Sequence, residues 1–450
     1  MQSTTVSKKA IRSWMLFDWA AQPFFTVVIT FIFGPYFANR MIDDPVAGQA
    51  AWSQSIAIAG FIIAILSPVL GSIADVTGSR KKWIAIFALI KIAALSSLWF
   101  ASPGSELFWP MTAVILAMVA AEFSIVFNDA MMPRLIPAND IGRVSNLAWG
   151  LGYAGGLIVL FSVLLFFAGN PKTGKTLLGI LPLFGFDAAL GEDARMTAPY
   201  AALWYAIFIL PMLLFTPDVS SGKSLSFAIK QGLQDLVQTC QHLWQRKKLL
   251  RFFIARMIYQ DGVNGLLALG GVFAAGLFGW QTFEIGVYGI LLLLTAILGC
   301  YLGSRLEKTS DSSSVVNLAL GCLTFATIGI ISIAPDNLFF GLISLSVVDS
   351  GGLFATTAEK IYILFGLLIG LSFGPVQASS RAFLAKSVSA EEAGRYFSFY
   401  ALCGRATAFL APAAVTFFTS YFDSARIGMM VLVVFLVVGW WLFFQIRKLG

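Results

Sequence analysis

Long apolar runs recur along this chain of 450 residues, and they restrict its fold more than any other feature. Two of them, 56–73 and 83–100, each have about the length that an α-helix needs to cross the hydrocarbon core of a membrane. The segment that joins them is too short for anything but a tight loop. Because hydrocarbon offers no partners to backbone N–H and C=O groups, such a run must satisfy them itself, as a helix does. The pattern predicts an all-α membrane protein.

The same reasoning predicts twelve membrane-spanning helices. Their expected bounds are 14–38, 54–74, 83–101, 107–130, 144–168, 199–215, 251–278, 284–302, 315–334, 357–379, 396–419 and 425–446. Only 12% of the residues are charged, about half the fraction of soluble domains, which agrees with this interpretation. Two apolar patches, 177–190 and 338–348, are shorter than a span. We expect them to lie on the outer face or to re-enter it.

The distribution of Lys and Arg predicts how these helices are oriented. Loops on one side hold most of the cations, for example Arg80, Lys81 and Lys82, whereas loops on the other side hold few. Because cytoplasmic loops carry such an excess, both termini are expected in the cytoplasm and the helices in the cell inner (plasma) membrane. The net charge of +7 resides in these short loops, so it does not indicate a nucleic-acid partner.

A polar stretch, 216–250, divides the apolar runs into two sets of six. Apolar residues recur within it at helical spacing, which predicts an amphipathic helix on the inner membrane surface. We therefore expect a six-helix bundle over 1–215, a cytoplasmic linker over 216–250, and a second six-helix bundle over 251–450.

The two halves share weak internal similarity, which favours a duplication. The motif Phe17-Asp18-x-x-x-Gln22 in helix 1 resembles Tyr259-Gln260-x-x-x-Asn264 in helix 7. Gly142-Arg143 before helix 5 resembles Gly394-Arg395 before helix 11. The loop at 303–308 keeps charges but, in this interpretation, has lost the spacing of its counterpart after helix 2.

That counterpart reads Gly71-x-x-x-Asp75-x-x-Gly78-x-Arg80-Lys81. It resembles the signature loop between helices 2 and 3 of the major facilitator superfamily, although Val76 stands where an arginine usually follows the acid. The resemblance implies a gating role for Asp75 and Arg80. It also implies that Asp75 meets the start of helix 11, near Glu392–Tyr396, when the inner side is closed.

Further motifs resemble the vacuole-effluxer, or autophagy-related, branch of this superfamily, with the chain as a bacterial-type member. They cover nearly the whole chain: Phe17-Asp18-Trp19-Ala20, Asn128-x-x-x-Pro133-x-Leu135, Gly150-x-Gly152-Tyr153-x-Gly155-Gly156, Asp261-Gly262 and Gly374-Pro375-x-Gln377-Ala-x-Ser380-Arg381. One departure is that Ala21 and Gln22 stand where the branch usually has Asn-Ser. The resemblance implies the major facilitator fold and, from its eukaryotic members, export of amino acids.

Polar and charged residues recur at one depth inside the predicted helices. Counted from the cytoplasmic ends, they lie ~12–15 Å into the membrane, near its middle. They are Gln22, Lys91, Glu122, Asp261 and Arg405. Ionisable groups in membrane helices are costly and therefore indicate function, and transporters bind substrate at this level. Permanent pairing of Lys91 with Glu122, and of Asp261 with Arg405, is the alternative interpretation.

The predicted substrate site combines these residues with polar neighbours. The full set is Asp18, Gln22, Glu122, Asn128, Tyr259, Asp261, Asn264, Gln377 and Arg405. Either Asp261 or Glu122 is expected to carry a coupled proton, because burial favours the neutral form of a carboxyl group. Arg256 and Glu392 are expected to join Asp75 and Arg80 in gating. Ordinary interfacial charge is the alternative for Arg256.

The expected function is secondary active transport of a small polar metabolite by alternating access, coupled to protons. A balanced layer of two acids and two bases suits a zwitterion, so an amino acid or related carboxylate-bearing solute is expected. A sugar or peptide carrier of the same fold is one alternative, and a membrane-embedded hydrolase is another. The hydrolase needs a nucleophile–base pair or a metal cluster, which the single histidine, His242, cannot build. We expect no enzyme activity and no cofactor, and a chain that acts as a monomer in the lipid bilayer.

Overall fold

The computed structural model describes residues 7–42, 44–169, 174–187, 190–218, 223–280, 282–345, 351–405 and 407–446. These residues are mostly helical. Two short strands, Asn337–Leu338 and Ile343–Ser344, pair as an antiparallel hairpin. The predicted all-α class is confirmed.

Twelve helices among the described residues are long and apolar enough to cross a membrane, as predicted. We number them as spans 1 to 12: Lys8–Arg40, Ala47–Thr77, Arg80–Phe100, Phe108–Leu135, Ala138–Phe166, Glu192–Phe215, Lys247–Phe278, Glu284–Leu306, Ser312–Ser332, Thr357–Ser387, Ala393–Phe422 and Ala425–Phe444. Most extend several residues beyond the predicted bounds. A helix can continue past the hydrocarbon into the interface, where hydropathy no longer marks it.

Span 1 changes its helical type at mid-length. It runs as an α-helix over Lys8–Pro23, as a π-helix over Phe24–Phe31 and again as an α-helix over Phe33–Arg40. Pro23 has no backbone N–H to donate to the carbonyl of Trp19. The indole Nε1 of Trp204 in span 6 donates to that oxygen instead, at 3.1 Å. Such π segments are frequent at functional sites.

Span 11 is broken, so the continuous helix predicted over 396–419 is wrong. One helix ends at Arg405 and the next begins at Leu410. The second helix carries Pro412 in its first turn, a position that tolerates proline. Farther inside a helix, the ring would clash with the carbonyl of residue 408 and leave it without its usual donor. This proline is the sequence feature that accounts for the break.

The described residues outside the spans include one long helix and two irregular regions. The helix Leu225–Leu243, called the linker helix below, lies in the stretch predicted as the linker. Neither apolar patch forms a span. The first contains the short 3₁₀ turn Leu183–Gly185, and the second contains the strand hairpin. Residues 188–189 and 346–350 of these patches lie outside the described residues.

The chain divides into two compact units. Unit 1 comprises Met1–Ala138, Leu151–Leu236 and Val388–Ala401, so it takes in the first turns of span 11. Unit 2 comprises Asn139–Gly150, Val237–Ser387 and Leu402–Gly450, so it takes in the first turns of span 5. The predicted bundles over 1–215 and 251–450 remain a prediction.

Candidate functional site

Unit 2 holds a chain of buried amide and guanidinium groups on spans 7 and 10. Arg256 Nη1 donates to Gln260 Oε1 at 3.1 Å, and Gln377 Nε2 donates to the same oxygen at 2.9 Å. Gln260 Nε2 then donates to Asn264 Oδ1 at 2.9 Å. Three predicted residues are thus joined through Gln260, which was not in the predicted site although it stands in the motif shared with helix 1.

Asp261 lies beside the break in span 11. Its side chain is buried, with the residue 1% exposed, and Oδ1 accepts a hydrogen bond from Thr407 Oγ1 at 3.1 Å. Its Oδ2 has no hydrogen-bond partner among the described residues. The Asp261–Arg405 pair, which was the alternative interpretation of these charges, is therefore not formed. The helix ends at Arg405, and Thr407, which lies outside the helices, is the residue of span 11 that contacts the carboxylate.

The break in span 11 lies beside a buried carboxylate, that of Asp261. Non-helical backbone at membrane depth is tolerated where it is buried in protein or lines a cavity. Interrupted helices near mid-membrane recur at transporter binding sites. Arg405, the last residue before the break, is half-buried, and Asp261 in span 7 keeps an acceptor oxygen without a hydrogen-bond partner among the described residues. Sequence reasoning found both charges but missed Thr407.

Tyr259 has a different environment from its neighbours in the predicted set. It is fully buried, and its hydroxyl lies 2.8 Å from Ser380 Oγ in span 10. Its backbone packs so closely on Gly439 of span 12 that an added Cβ there would lie 2.6 Å from Tyr259 N. This residue contributes to the packing of spans 7, 10 and 12.

In unit 1, a glycine face on span 5 positions the predicted residues of span 1. A Cβ added at Gly152 would lie 3.1 Å from the Asp18 carbonyl oxygen, and one at Gly156 would lie 3.2 Å from Gln22 Cγ. The small residues of this face therefore allow span 5 to pack closely against span 1. Asp18 and Gln22 are both half-buried.

Span 4 places its two predicted residues in different surroundings. Glu122 is half-buried at mid-span, whereas Asn128 is completely buried near the inner end. The Asn128 carbonyl accepts a hydrogen bond from Trp14 Nε1 at 2.8 Å. Both polar atoms of the Asn128 side chain lack a hydrogen-bond partner among the described residues. Glu122 and Asn128 therefore do not form one cluster.

Lys91 does not pair with Glu122, so the alternative interpretation of these two charges is wrong. It is buried in span 3, and its Nζ has no hydrogen-bond partner in the described part of the chain. The ammonium group lies 3.9 Å from the ring centre of Tyr205 and 4.9 Å from that of Phe24. Cation–π attraction therefore takes the place of the ion pair. Depth along a helix was predictable, but the direction of the side chain around it was not.

The predicted contact of Asp75 with the start of span 11 is present. Its Oδ1 accepts from the backbone N–H of Gly394 at 2.8 Å, and its Oδ2 accepts from that of Arg395 at 2.9 Å. Backbone N–H groups of a helix start, together with the helix dipole, favour an anion at this position. Gly71 allows the approach, because an added Cβ would collide with Ser398 and Gly394.

Arg80, the first residue of span 3, completes this contact. Its Nη2 donates to Asp75 Oδ1 at 2.8 Å and to the Ala390 carbonyl oxygen at 2.9 Å. Glu392, also predicted as a gate residue, accepts from Ser389 Oγ at 3.4 Å in the turn that precedes the helix. The carboxylate that the helix start binds is therefore that of Asp75.

Unit 2 contains a second close approach of an acid to the start of a span, which sequence reasoning missed. Gly303 and Glu307 repeat the spacing of Gly71 and Asp75, so the interpretation that this loop had lost the spacing is wrong for these two residues. Glu307 is buried against the first turn of span 5, where a Cβ added at Gly142 would collide with its carboxylate. Lys386 Nζ lies 3.1 Å from Glu307 Oε2.

Groups that could hold a metal ion are absent from the described residues, in which no three His, Cys, Asp or Glu side chains cluster. The polar groups described above are those of Asp261, Arg405 and Gln260, together with the acids Asp75 and Glu307.

Comparison with known sequences gives one family. Residues 46–448 match the family described as "Vacuole effluxer Atg22 like". The uncharacterized MFS-type transporter YxiO of Bacillus subtilis is 24% identical over 96% of this chain and 93% of its own length. Autophagy-related protein 22 of Cryptococcus neoformans is 26% identical over 61% of this chain. The alignment spans about half of that fungal protein, 47% of its length.

Comparison with solved structures gives the fold. FucP, a major facilitator superfamily transporter of E. coli, superposes with a TM-score of 0.69 at 12% identity. The match covers 97% of this chain and 98% of FucP. At this level of identity the likeness concerns the fold alone, and it agrees with twelve spans in the major facilitator arrangement.

Proposed function

The chain belongs to the Atg22-like vacuole effluxer family of MFS-type transporters, and from that premise we propose that it moves a small carboxylate-bearing metabolite, such as an amino acid, across the cell inner membrane by proton-coupled alternating access. A transporter of this class is not an enzyme. The identity of the substrate, the coupling ion and the membrane are what we propose here, in addition to the family membership.

The observation that carries the proposal is the break in span 11 beside Asp261. It puts a guanidinium group at the end of one helix and a buried carboxylate with one unfilled oxygen in the neighbouring span. Guanidinium presents five donors in a planar fork and suits a carboxylate bound through two hydrogen bonds. We propose that Arg405 binds the substrate carboxylate and that Asp261 accepts a donor from the substrate or a proton.

The polar chain on spans 7 and 10 supports a polar rather than an apolar substrate. Gln260 already accepts two hydrogen bonds and donates one, which fixes its orientation and that of Gln377 and Asn264. A fixed array of amides costs little reorganisation when a ligand binds. In unit 1 we propose that Asp18, Gln22 and Glu122 contribute to the same transport cycle.

We propose that Asp261, before Glu122, carries the coupled proton. A buried carboxylate with one hydrogen bond from Thr407 and no ion pair with Arg405 is poorly compensated in its charged form. Protonation removes that cost. The inner gate is proposed to be the Asp75 contact, with Arg80 holding the acid in place and Arg256 and Glu392 as further gate residues.

A binding experiment on the full-length protein tests the proposal. A panel of amino acids, other carboxylic acids, sugars and peptides is first screened for shifts in melting temperature, and the best ligand is then compared with its carboxamide. We expect the carboxylate to bind at least about tenfold more tightly, because a hydrogen bond to a charged group contributes about 1.5–3 kcal/mol.

Variants assign the effect to one residue. Arg405→Lys should weaken carboxylate binding about tenfold or more, since a point charge replaces a planar fork. Arg426→Lys, at the start of span 12, is the matched control and should bind normally. Equal affinity for the carboxylate and its carboxamide would contradict the proposed role of Arg405, and a response to sugars alone would favour the other carrier class.

A further inference from the structure

We infer that the linker helix binds the anionic inner leaflet of the membrane and that, when bound, it stabilises the contact between Asp75 and the start of span 11. The inference rests on the inner gate proposed above. It adds anionic lipid as a ligand of the protein. It also gives the linker helix a regulatory role, whereas the transport proposal gives this helix no role.

One face of the linker helix is packed firmly against the inner end of span 2. Ala228 is completely buried and lies in one apolar cluster with Ile73 and Val76. Gly232 sits so close to this helix end that an added Cβ would lie 2.9 Å from the backbone nitrogen of Ile73. The linker helix is therefore held on the last turns of span 2, beside Asp75.

A second face of the same helix is apolar and uncovered. Ile229, Leu233 and Val237 follow each other at intervals of four residues and are 42%, 44% and 58% exposed. Trp244, just past the end of the helix, is 75% exposed. Spacing by four places the first three on one stripe, and an exposed stripe ending in tryptophan is typical of a helix lying in the membrane interface.

In residues 216–250 the acidic side chains contact the rest of the protein, whereas the basic side chains are exposed. Both acids face the protein: Asp218 accepts from the backbone N–H of Lys81 at 2.9 Å, and Asp235 lies 3.9 Å from Arg395 Nη1. All five basic residues of this stretch are exposed: Lys223, Lys230, Arg246, Lys247 and Lys248. Such a cationic surface beside an apolar stripe complements anionic lipid headgroups and not neutral ones.

The linker helix touches both sides of the inner gate. Gly232 packs on Ile73, two residues before the gate acid. Asp235 faces the side chain of Arg395, whose backbone N–H donates to Asp75. When the linker helix is bound to the leaflet, its contacts therefore stabilise both Asp75 and the start of span 11, to which Asp75 is hydrogen-bonded. A linker helix detached from the membrane stabilises neither.

The test measures helix position and gate docking separately, without any transported substrate. The full-length protein, freed of its four native cysteines, is placed in nanodiscs of phosphatidylcholine with increasing phosphatidylglycerol. A bimane probe on Trp244→Cys reports burial of the linker helix in lipid. Labelling of Ser398→Cys by a water-soluble maleimide reports release of span 11, because Ser398 is completely buried in the docked state.

Phosphatidylglycerol should shift the bimane emission to the blue and slow the labelling at position 398 roughly fivefold or more, the effect of one cation at an anionic surface. Lys223→Gln with Lys230→Gln should move both responses to higher phosphatidylglycerol. Lys308→Gln, an exposed cation on the loop after span 8, is the control and should respond as the unmodified protein does.

Asp235→Asn separates binding from regulation. It should keep the bimane response and lose the lipid dependence of labelling at position 398. Labelling that is equal in neutral and anionic lipid would overturn the inference, as would a Lys223→Gln/Lys230→Gln variant with unchanged responses. Neither result bears on the binding measurements for Arg405, so failure here is distinguishable from failure of the proposed function.

Discussion

Asp75→Asn is the perturbation that probes the inner gate most sharply, because it keeps the shape of the side chain and removes its charge. In the native protein both carboxylate oxygens of Asp75 accept hydrogen bonds. Oδ1 accepts from Gly394 N and from Arg80 Nη2, each at 2.8 Å, and Oδ2 accepts from Arg395 N at 2.9 Å. An asparagine keeps one acceptor oxygen and turns an N–H group towards the remaining donors.

The magnitude follows from this geometry. The Asp75 side chain is only 5% exposed, so solvent screens its hydrogen bonds little. A hydrogen bond to a charged group contributes about 1.5–3 kcal/mol, and the variant loses at least one. A loss of about 2 kcal/mol shifts the equilibrium between docked and released span 11 roughly 30-fold towards release.

Accessibility of Ser398→Cys to a water-soluble maleimide is the assay. The labelling rate should rise roughly 30-fold in the Asp75→Asn background if the released state is the one that reacts. Asp140→Asn removes the acid of an exposed pair with Arg143 and should change the rate little, since surface pairs contribute about 0–1 kcal/mol. An unchanged rate in Asp75→Asn would refute the reasoning.

Three further predictions follow from single contacts. Lys91→Met should leave the melting temperature unchanged or raise it, because the ammonium has no hydrogen-bond partner among the described residues. Lys386→Met should lower the melting temperature, because it removes the cation that pairs with the buried Glu307 carboxylate. Pro412→Ala should let span 11 close its break and weaken ligand binding about tenfold in calorimetry, through loss of the Thr407–Asp261 hydrogen bond. Glu307→Gln should raise maleimide labelling of a cysteine placed at the buried Asn146, and unchanged labelling would show that unit 2 has no gate contact at this acid.

The spans were predictable because hydrocarbon imposes a length and a composition on every helix that crosses it. Pro412 shows where that reasoning stops: hydropathy remains high through the break, and only the backbone chemistry of proline marks it. The contact of Asp75 with the start of span 11 was predictable from a family resemblance. The structure adds the reason that it can form: Gly71 and Gly394 have no side chains, and this leaves the space that the acid needs.

The side-chain pairs were not predictable for a geometric reason. Depth in the membrane follows from counting residues, so Lys91 and Glu122 could be placed at one level. Whether two side chains meet depends also on how each helix is rotated and packed, and Lys91 points to Tyr205 and Phe24. The hydrogen bond from Thr407 to Asp261 was not predictable either, because Thr407 lies outside the helices in a region that the sequence predicted as helix.

Uptake by proteoliposomes is the measurement that tests the central claim most directly. The purified protein is reconstituted, and the ligand found in the melting-temperature panel is offered with and without an imposed pH gradient. We expect accumulation that needs the gradient and is lost in Asp261→Asn, with Glu122→Gln affected less and Arg426→Lys unaffected. Accumulation that persists in both Asp261→Asn and Glu122→Gln would contradict proton coupling through these carboxylates, and equal uptake with and without the gradient would contradict proton-driven transport altogether.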